Sequence, residues 1–365
     1  MPKNIVICCD GTGNEFGDHN SNVINLYKML DCGPDQIAYY HPGVGTMGAR
    51  SALTRIGKWW TTVIGLAFGY GISDNVADAY LFLMRRFQPG DQVYVFGFSR
   101  GAYTARALCG MLHIVGLLSE DNEGLIPYAI RLIRRSPIDF KVAADFKKTF
   151  SRVCKPHFLG VWDTVSSVGW IYNAVRFPFT TATSNPDLHV VRHAVSIDER
   201  RSFFRQNLFG QPNNPLQDVL EVWFAGVHSD VGGSYPEAES QLSKIALRWM
   251  SCEAEIAGLA LDQQRKAEIL GGKPPNVAPD PLTKNQHESL HGWWWIAEVW
   301  PKVVHKQTAE GTWKKAVHLN LARRRWIAPN SIVDNSVEQR VAQATPPYRP
   351  GNLPQQRRTV LDNCK

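Results

Sequence analysis

A serine flanked by glycines is the clearest candidate for chemistry in this chain. The run Gly97-Phe98-Ser99-Arg100-Gly101 matches the pattern Gly-x-Ser-x-Gly and stands between a strand-like apolar run and a helical pattern. Glycines at both ends permit a sharp turn that larger side chains would block. An alcohol on such a turn can act as a nucleophile only when a base takes its proton. The sequence must therefore also supply a histidine and a carboxylate that orients it.

His228 is the best placed of the eleven histidines. It follows the apolar run 222–227 and lies near the start of a glycine-containing loop, residues 226–235. A histidine at the end of a buried strand and the start of a loop can turn its imidazole toward a neighbouring strand end. We therefore expect His228 to be the general base for Ser99.

Two aspartates compete for the role of the acid. Asp163 and Asp198 each follow a strand-like run. Counting strands after Ser99 favours Asp198, but Glu199-Arg200-Arg201 follows it directly and predicts an ion pair with Arg200 or Arg201. Asp163 has no such neighbour, so we prefer it and keep Asp198 as the alternative.

Hydrolysis of an ester through a tetrahedral intermediate also requires N–H donors for the oxyanion. The backbone N–H of Arg100 is one candidate by its position after the nucleophile. Gly11 or Thr12, in the loop after the first strand, is a candidate for the second. The same loop is also compatible with a simple tight turn in which Asp10 caps backbone groups. The mechanism needs no metal and no cofactor, and we predict neither.

A zinc site is the main rival interpretation. His287-Glu288-Ser289-Leu290-His291 reads His-Glu-x-x-His, which in zinc hydrolases places two histidines one helical turn apart. Gly292 follows at once and disfavours a continuing helix, and Glu310 is the only obvious third ligand downstream. A zinc metallohydrolase that uses His287, Glu288 and His291 is therefore the first alternative. A hydrolase-like binding module without catalysis is the second.

The elements that must position these residues follow from hydrophobic periodicity. Up to about residue 235, short β-rich runs alternate with helical patterns, which predicts an α/β fold with a mainly parallel sheet and helices on both faces. Polar residues at the carboxyl ends of such strands meet at one edge of the sheet. The predicted strands are 4–9, 36–40, 92–96, 158–162, 188–197 and 219–227, and helices are predicted near 23–30 and 76–87, after 101 and from 241.

A change of composition after Pro275 marks a boundary. We predict a catalytic domain over residues 1–270 and a helical and irregular C-terminal subdomain over residues 271–365, packed on it. The segment Trp293–Trp300 is rich in tryptophan, for which a packed core is favoured over contact with a membrane. We also expect this segment and Leu112, Ile114, Val115, Leu117 and Leu118 to wall an apolar pocket above Ser99.

Composition excludes several classes of protein. The chain has 365 residues, of which 44% are hydrophobic and 20% charged, so disorder, collagen and coiled coil do not fit. The net charge of +7 is scattered and favours anionic surfaces. Its run Arg323-Arg324-Arg325 is too short to indicate a nucleic-acid partner. Seven cysteines without a Cys-x-x-Cys pair give no sign of a disulfide framework or a thiolate zinc site.

The location of the protein is also constrained by the sequence. Only five apolar residues, Ile5–Cys9, precede Asp10, too few for the core of a signal peptide. The longest weakly polar run, Trp59–Ile72, has 14 residues, fewer than a spanning helix needs. We expect a protein that is cytoplasmic at synthesis, with non-classical export left open.

Five blocks of sequence resemble one family. They are Asp10–Asn14, Gly97–Arg106, Gly160–Val165, Ile197–Arg200 and Gly226–Gly233. Together they are similar to the α/β-hydrolase family of the type VI secretion phospholipase effector catalytic domains, formerly a domain of unknown function. The resemblance is strong from residue 4 to about residue 255.

This resemblance implies an α/β-hydrolase fold and a Ser-Asp-His catalytic triad, which carries over to Ser99, Asp163 and His228. It implies esterase or phospholipase A activity on a lipid or another ester. A lipid or ester substrate is the expected partner, and peripheral contact with an anionic membrane is left open. A secretion-system or immunity partner is not readable from this sequence.

Overall fold

The computed structural model describes most of the chain. The described residues are 2–11, 17, 19–43, 71–135, 137–165, 177–212, 214–292, 294–299, 302–307 and 313–360. Thr12, Trp293, Trp300, Glu310 and most of the weakly polar run 59–72 lie outside these ranges.

Short apolar runs form the strands of the molecule. In chain order they are β1 Asn4–Cys9, β2 Gln36–His41, β3 Gln92–Phe98, β4 Leu117–Leu118, β5 Ser151–Arg152, β6 Pro156–Trp162, β7 Val190–Ser196, β8 Asp218–Phe224, β9 Lys302–Gln307, β10 Trp313–His318, β11 Ile332–Asp334 and β12 Arg358–Val360. Eight of them form a parallel sheet in the order β12-β11-β8-β7-β6-β3-β1-β2. The predicted α/β fold with a mainly parallel sheet is confirmed.

Segments between the strands form the helices. They are α1 Asn22–Met29, α2 Ile72–Arg86, α3 Arg100–Val115, α4 Ile126–Arg134, α5 Phe140–Phe150, α6 His228–Gly232, α7 Gln241–Ile256, α8 Gln263–Leu270, α9 Trp294–Val299 and α10 Asn335–Gln343. Short 3₁₀ turns lie at Glu120–Leu125, Ser202–Phe204 and Glu237–Glu239.

Alternate strand residues build two cores, one on each face of the sheet. In β1, Ile5 and Ile7 join the core beneath α2 and α3, whereas Val6 and Cys8 join the core beneath α1 and α7. All four side chains are fully buried. Strands covered on both faces need continuous apolar sequence, which explains why β1 reads as an unbroken apolar run.

The C-terminal third is part of the sheet. β11 pairs with β8, and β12 pairs with β11, so two strands of the sheet come from beyond residue 270, the predicted end of the catalytic domain. This part of the chain also holds the antiparallel pair β9 and β10 in addition to the expected helical and irregular segments. A third core joins it to the ends of β7 and β8, formed by Val195, Ile197, Trp223, Ala225, Ile327, Val333, Val337 and Tyr348.

The structure contradicts the expected pocket wall near Ser99, and it contains a disulfide bond that the cysteine pattern did not indicate. The five apolar residues from Leu112 to Leu118 do not wall a pocket at Ser99, because they are buried in the core beneath α2, α4 and α5. An α-helix rises about 1.5 Å per residue, so Leu112 lies roughly 20 Å along α3 from Ser99. In addition, Cys252 is disulfide-bonded, although the cysteine pattern gave no sign of a disulfide.

Candidate active site

Ser99 lies on the turn between β3 and α3. Its backbone is strained, with φ of 58° and ψ of −118°, a conformation that non-glycine residues rarely adopt. The Ser99 N–H donates to the carbonyl oxygen of Trp162 at 3.1 Å, which ties the turn to the neighbouring strand β6. The predicted sequence of strand, sharp turn and helix is therefore present around this serine.

Both glycines of the Gly-x-Ser-x-Gly pattern are required by close approach of the backbone. A Cβ at Gly97 would lie 2.5 Å from the carbonyl oxygen of Gly101. A Cβ at Gly101 would overlap the carbonyl oxygens of Cys9 and Asp10, at the end of β1. The turn can hold Ser99 in this position only because neither glycine carries a side chain.

His228 and Asp163 form a buried pair at the carboxyl edge of the sheet. Nδ1 of His228 lies 2.5 Å from Oδ2 of Asp163, and both side chains are almost fully buried. Asp163 directly follows β6, the strand next to β3, and His228 opens α6 after β8. Since the carboxylate can only accept, Nδ1 carries the proton and the lone pair is left on Nε2.

The imidazole of His228 is enclosed by aromatic rings. The ring of Phe98, the residue before Ser99, lies 4.6 Å from it, and the ring of Phe204 lies 4.8 Å away on another side. Nε2 is buried and has no hydrogen-bond partner among the described residues, Ser99 included. In unliganded enzymes such catalytic bonds are often long and form only with substrate. The arrangement provides a neutral base next to the residue that precedes the serine.

Burial and charge set the protonation states of this pair. Arg325 and His228 outweigh the effect of burial and hold the pKa of Asp163 well below its usual range. Burial lowers the pKa of His228 from its ordinary value, and its hydrogen bond to Asp163 only partly opposes this shift. At neutral pH the pair therefore consists of a carboxylate and an uncharged imidazole.

Two residues that the sequence did not single out complete the surroundings. Arg325 contacts both oxygens of Asp163, at 2.5 and 3.0 Å. Glu199, almost fully buried, accepts from the backbone N–H of His228 at 3.2 Å and pairs with Arg201. Arg325 lies 162 residues from Asp163 along the chain, so no local pattern could have indicated the contact.

Asp198, the alternative acid, is bound elsewhere. Its Oδ2 accepts from the Gly226 N–H at 2.8 Å, the Tyr348 hydroxyl at 2.7 Å and the Gln286 amide at 3.1 Å. None of its hydrogen bonds involves His228. The arginine near it is Arg324, at 3.7 Å.

The expected ion pair of Asp198 with Arg200 or Arg201 is therefore wrong. Arg201 pairs with Glu199, only two residues away, and Arg200 pairs with Glu288. The side chain of Asp198 instead meets residues from the C-terminal third, which the local sequence did not indicate.

The candidate oxyanion donors differ in whether their N–H groups already have a hydrogen-bond acceptor. The Arg100 N–H is the first of α3 and, as at every helix start, has no acceptor within the helix. The Gly11 N–H donates to Oδ1 of Asp10 at 2.6 Å, so it can serve an oxyanion only if that hydrogen bond breaks. Asp10 itself is held by Ser21 and Tyr40, which matches the tight-turn interpretation of this loop.

The His-Glu-x-x-His segment does not form the helix that a zinc hydrolase needs, because residues 287–291 are irregular. Both ring nitrogens of His287 face carboxylates, Asp230 at 2.6 Å and Glu239 at 3.0 Å, and the hydrogen bond to Asp230 raises the pKa of His287. Within the part of the chain that the structure describes, no three His, Cys, Asp or Glu side chains are grouped to hold a metal ion. The motif match is thus explained by a different set of contacts.

The tryptophan-rich segment lies beside the histidine. Trp294, at the start of α9, packs against Phe204 with ring centroids 5.6 Å apart, and Phe204 contacts His228. Trp295 points outward and is 50% exposed. One tryptophan therefore packs inward, as the favoured interpretation expects, while its neighbour meets solvent. Of the described helices, none is long and apolar enough to cross a membrane.

Comparison with known proteins places the chain in a family. Residues 3–253 match the family described as the type VI secretion system phospholipase effector Tle1-like catalytic domain. An uncharacterized protein of Saccharomyces cerevisiae is 40% identical over 226 residues, which cover 57% of this chain and 33% of that protein. The chain thus spans about a third of the length of this relative.

Two solved structures are similar at lower identity. One is the crystal structure of an uncharacterized protein from Pseudomonas aeruginosa, with 22% identity, a TM-score of 0.41 and coverage of 73% of this chain and 48% of the other. The second is the Tle1 effector bound to the VgrG spike of the type VI secretion system, with 20% identity, a TM-score of 0.37 and coverage of 66% and 53%. The family match over residues 3–253 establishes that this chain belongs to the Tle1-like phospholipase effector catalytic domains.

Proposed function

We propose that this chain is a serine hydrolase that cleaves carboxylic esters of lipids, with Ser99 as nucleophile, His228 as general base and Asp163 as the acid that orients it. One observation carries the proposal. Ser99 sits on a strained strand-to-helix turn, and the residue before it packs on a histidine that is paired with a buried carboxylate and has a free Nε2. A purely structural serine would not require this strain.

The chemistry follows from the positions of the protons. His228 Nε2 takes the proton of Ser99 Oγ while Oγ attacks the carbonyl carbon of the ester. The tetrahedral intermediate then collapses, the bond to the alcohol breaks, and the proton on Nε2 passes to the departing oxygen. Water repeats the same steps on the acyl-enzyme and releases the fatty acid. Asp163 keeps Nδ1 protonated throughout and stabilises the imidazolium.

For the oxyanion we propose the Arg100 N–H as the first donor. It stands at the positive end of α3, a helix of 16 residues, where a developing negative charge is favoured. For the second donor we propose the Gly11 N–H, released from its hydrogen bond to Asp10 when substrate binds, because the end of β1 packs directly against Gly101 in the turn.

The proposed substrate is a phospholipid or another acyl ester. The matched family is one of phospholipase catalytic domains. The rings of Phe98 and Phe204 beside His228, with Trp294 packed on Phe204, favour an acyl chain over a peptide, whose backbone would need polar partners there.

A surface suited to a membrane lies near the same residues. Trp295, Leu319, Leu321 and Trp326 are between 43% and 70% exposed, and Arg323 and Arg324 between them are exposed as well. Glu298 of α9 accepts from the Asn320 side chain and the Ala322 N–H, which holds the 319–322 turn against α9. We propose that this face, which we call the aromatic-basic face, meets an anionic lipid surface.

The experiment that tests the function is a hydrolysis panel. It compares p-nitrophenyl esters of increasing chain length with phospholipid vesicles, and uses Ser99→Ala as the blank. We expect turnover that rises with chain length and is lost in Ser99→Ala. Turnover that persists in Ser99→Ala, or folded protein that hydrolyses none of the esters, contradicts the proposal.

A further inference from the structure

Arg325 connects the C-terminal third to the proposed triad. Its Nη1 donates to Oδ1 of Asp163 at 2.5 Å and its Nη2 to Oδ2 at 3.0 Å. The side chains are 2% and 0% exposed. This is the two-pronged geometry in which a planar guanidinium fixes both the position and the rotation of a carboxylate.

The arginine is itself held in place. Nη1 also donates to the carbonyl and hydroxyl oxygens of Ser196, at 3.1 and 2.7 Å, and Nη2 donates to the carbonyl oxygen of Phe204. The Asn352 amide donates to the carbonyl oxygens of Arg325 and Ile197, both at 3.0 Å. These contacts fix Arg325 to the end of β7, so it can act as a rigid support for Asp163.

The two oxygens of Asp163 serve different partners. Oδ1 accepts from Arg325 and from the Ser196 N–H at 2.9 Å, whereas Oδ2 accepts from Arg325 and His228. A rotation of the carboxylate would break contacts at both ends. Arg325 and the Ser196 N–H therefore together fix the rotation of the carboxylate that faces the histidine.

The positive charge of Arg325 also affects the basicity of His228. The charged groups that face His228 are Asp163 at Nδ1, Glu199 at its backbone N–H, and Arg201, which stacks on the adjacent ring of Phe204 at 3.6 Å. Arg325 contacts Asp163 but not His228, so the carboxylate lies between the two. A positive charge at Arg325 weakens the pull of the carboxylate on the imidazolium. The histidine is then less basic than it would be beside an isolated aspartate.

We propose that Arg325 is a positioning residue, which holds Asp163 in the orientation that receives Nδ1–H of His228 and limits the basicity of that imidazole. Its catalytic consequence rests on the proposed function. The acid of the triad thereby depends on a segment at the far end of the chain, beyond the residues 3–253 that match the family.

Kinetics of two variants test this role on a soluble ester. In Arg325→Met we expect kcat/KM at its pH plateau to fall about 100-fold, because the carboxylate is then held only by the Ser196 N–H and His228. We also expect the acid limb of the pH profile to move up by about one unit, because Asp163 then acts on His228 with its full charge. Arg325→Lys retains the positive charge but cannot make the two-pronged contact with both carboxylate oxygens. We therefore expect this variant to keep the wild-type acid limb and to lose only part of kcat/KM.

A matched control separates positioning from general loss of stability. Arg192 is another buried arginine with two carboxylate partners, Asp218 and Glu253, both at 2.5 Å. It lies in β7, away from His228. Arg192→Met should lower stability without moving the acid limb. If Arg325→Met does not fold, Arg325→Lys decides the question, since wild-type kcat/KM in that variant would overturn the positioning role.

The closing experiment measures the pKa of His228 directly, by NMR of isotope-labelled histidine in the full chain. The resonance is assigned as the one missing from His228→Gln. We expect a higher pKa in Arg325→Met, and the wild-type pKa in Arg325→Lys and Arg192→Met. An unchanged pKa in Arg325→Met, or an equal rise in Arg192→Met, overturns the inference. A shift in a protein without esterase activity leaves this inference standing and removes the proposed function.

Discussion

His228 is the residue on which the proposed chemistry of this site depends. Its imidazole lies between Phe98 and Phe204, with one nitrogen bound to Asp163 and the other unpartnered among the described residues. The aromatic surroundings remove water and favour the neutral ring, while Asp163 favours the charged one. A base that is neutral at rest and stabilised when charged is what acyl transfer requires.

The pH dependence of hydrolysis follows from this balance. Protonation of Nε2 abolishes the base, so kcat/KM should rise with pH through the pKa of His228 and level off above it. Because burial lowers this pKa from 6.5, we expect the acid limb to lie below 6.5. Asp163 stays ionised throughout, since Arg325 and His228 hold its pKa far lower. A pH profile on a soluble ester measures the limb, and a midpoint above 7 contradicts this account.

The two aspartates should respond differently to the same substitution. Asp163→Asn should reduce kcat by about 10⁴-fold, because the amide no longer fixes the tautomer of His228. Asp198→Asn should leave most of the activity and lower the free energy of unfolding by about 1–3 kcal/mol, because its hydrogen bonds to Gly226, Tyr348 and Gln286 are weakened. Ester kinetics and denaturant unfolding of both variants test this prediction. A large loss of activity in Asp198→Asn and a small one in Asp163→Asn would assign the role of the acid to Asp198.

At the scale of elements, the turn between β3 and α3 depends on a close approach of backbones. Gly101→Ala should abolish the strained position of Ser99, because the new Cβ overlaps the carbonyl oxygens of Cys9 and Asp10. We expect kcat/KM to fall at least about 100-fold. Gly124→Ala is the matched control, since no heavy atom lies within 4 Å of the added Cβ. Equal activity of the two variants on a soluble ester would show that the turn is not essential.

The elements with strong local signals were predictable from the sequence. β1 reads as an unbroken apolar run and lies at residues 4–9, as predicted, and α7 begins at Gln241, as its periodicity indicated. β11 and β12 have three residues each and are stabilised by pairing with the sheet rather than by their own sequence. For this reason no sequence pattern predicted them. Arg325 was missed for a related reason, because its partner is distant in the chain.

At the scale of the whole molecule, the C-terminal third brings a buried support and an exposed surface to one edge of the sheet. Arg325 reaches Asp163, while the neighbouring Trp326 is 70% exposed. The aromatic-basic face therefore lies beside the proposed triad. An enzyme that acts on lipids needs such a surface close to its nucleophile, so that an acyl ester can pass from the interface to the site.

This face should determine vesicle binding. The double variant Trp295→Ser/Leu319→Ser should bind anionic vesicles at least about tenfold more weakly. The loss of two apolar side chains removes more than about 1.4 kcal/mol of the free energy gained by burying apolar surface in the lipid. Leu216→Ser is the control, since Leu216 is 76% exposed but precedes β8, at the opposite edge of the sheet. Co-sedimentation with vesicles measures both. Equal losses in the two variants, or none, would contradict the assignment of the face.

The most direct test of the central claim is covalent labelling of Ser99. A fluorophosphonate probe reacts with a serine only when a base activates it, so mass spectrometry of the folded protein should find one adduct, at Ser99. We expect no adduct in Ser99→Ala and labelling at least about 10³-fold slower in His228→Gln. An adduct at another serine, or no adduct in folded protein while a known serine hydrolase in the same tube is labelled, would contradict the proposal that Ser99 is the nucleophile.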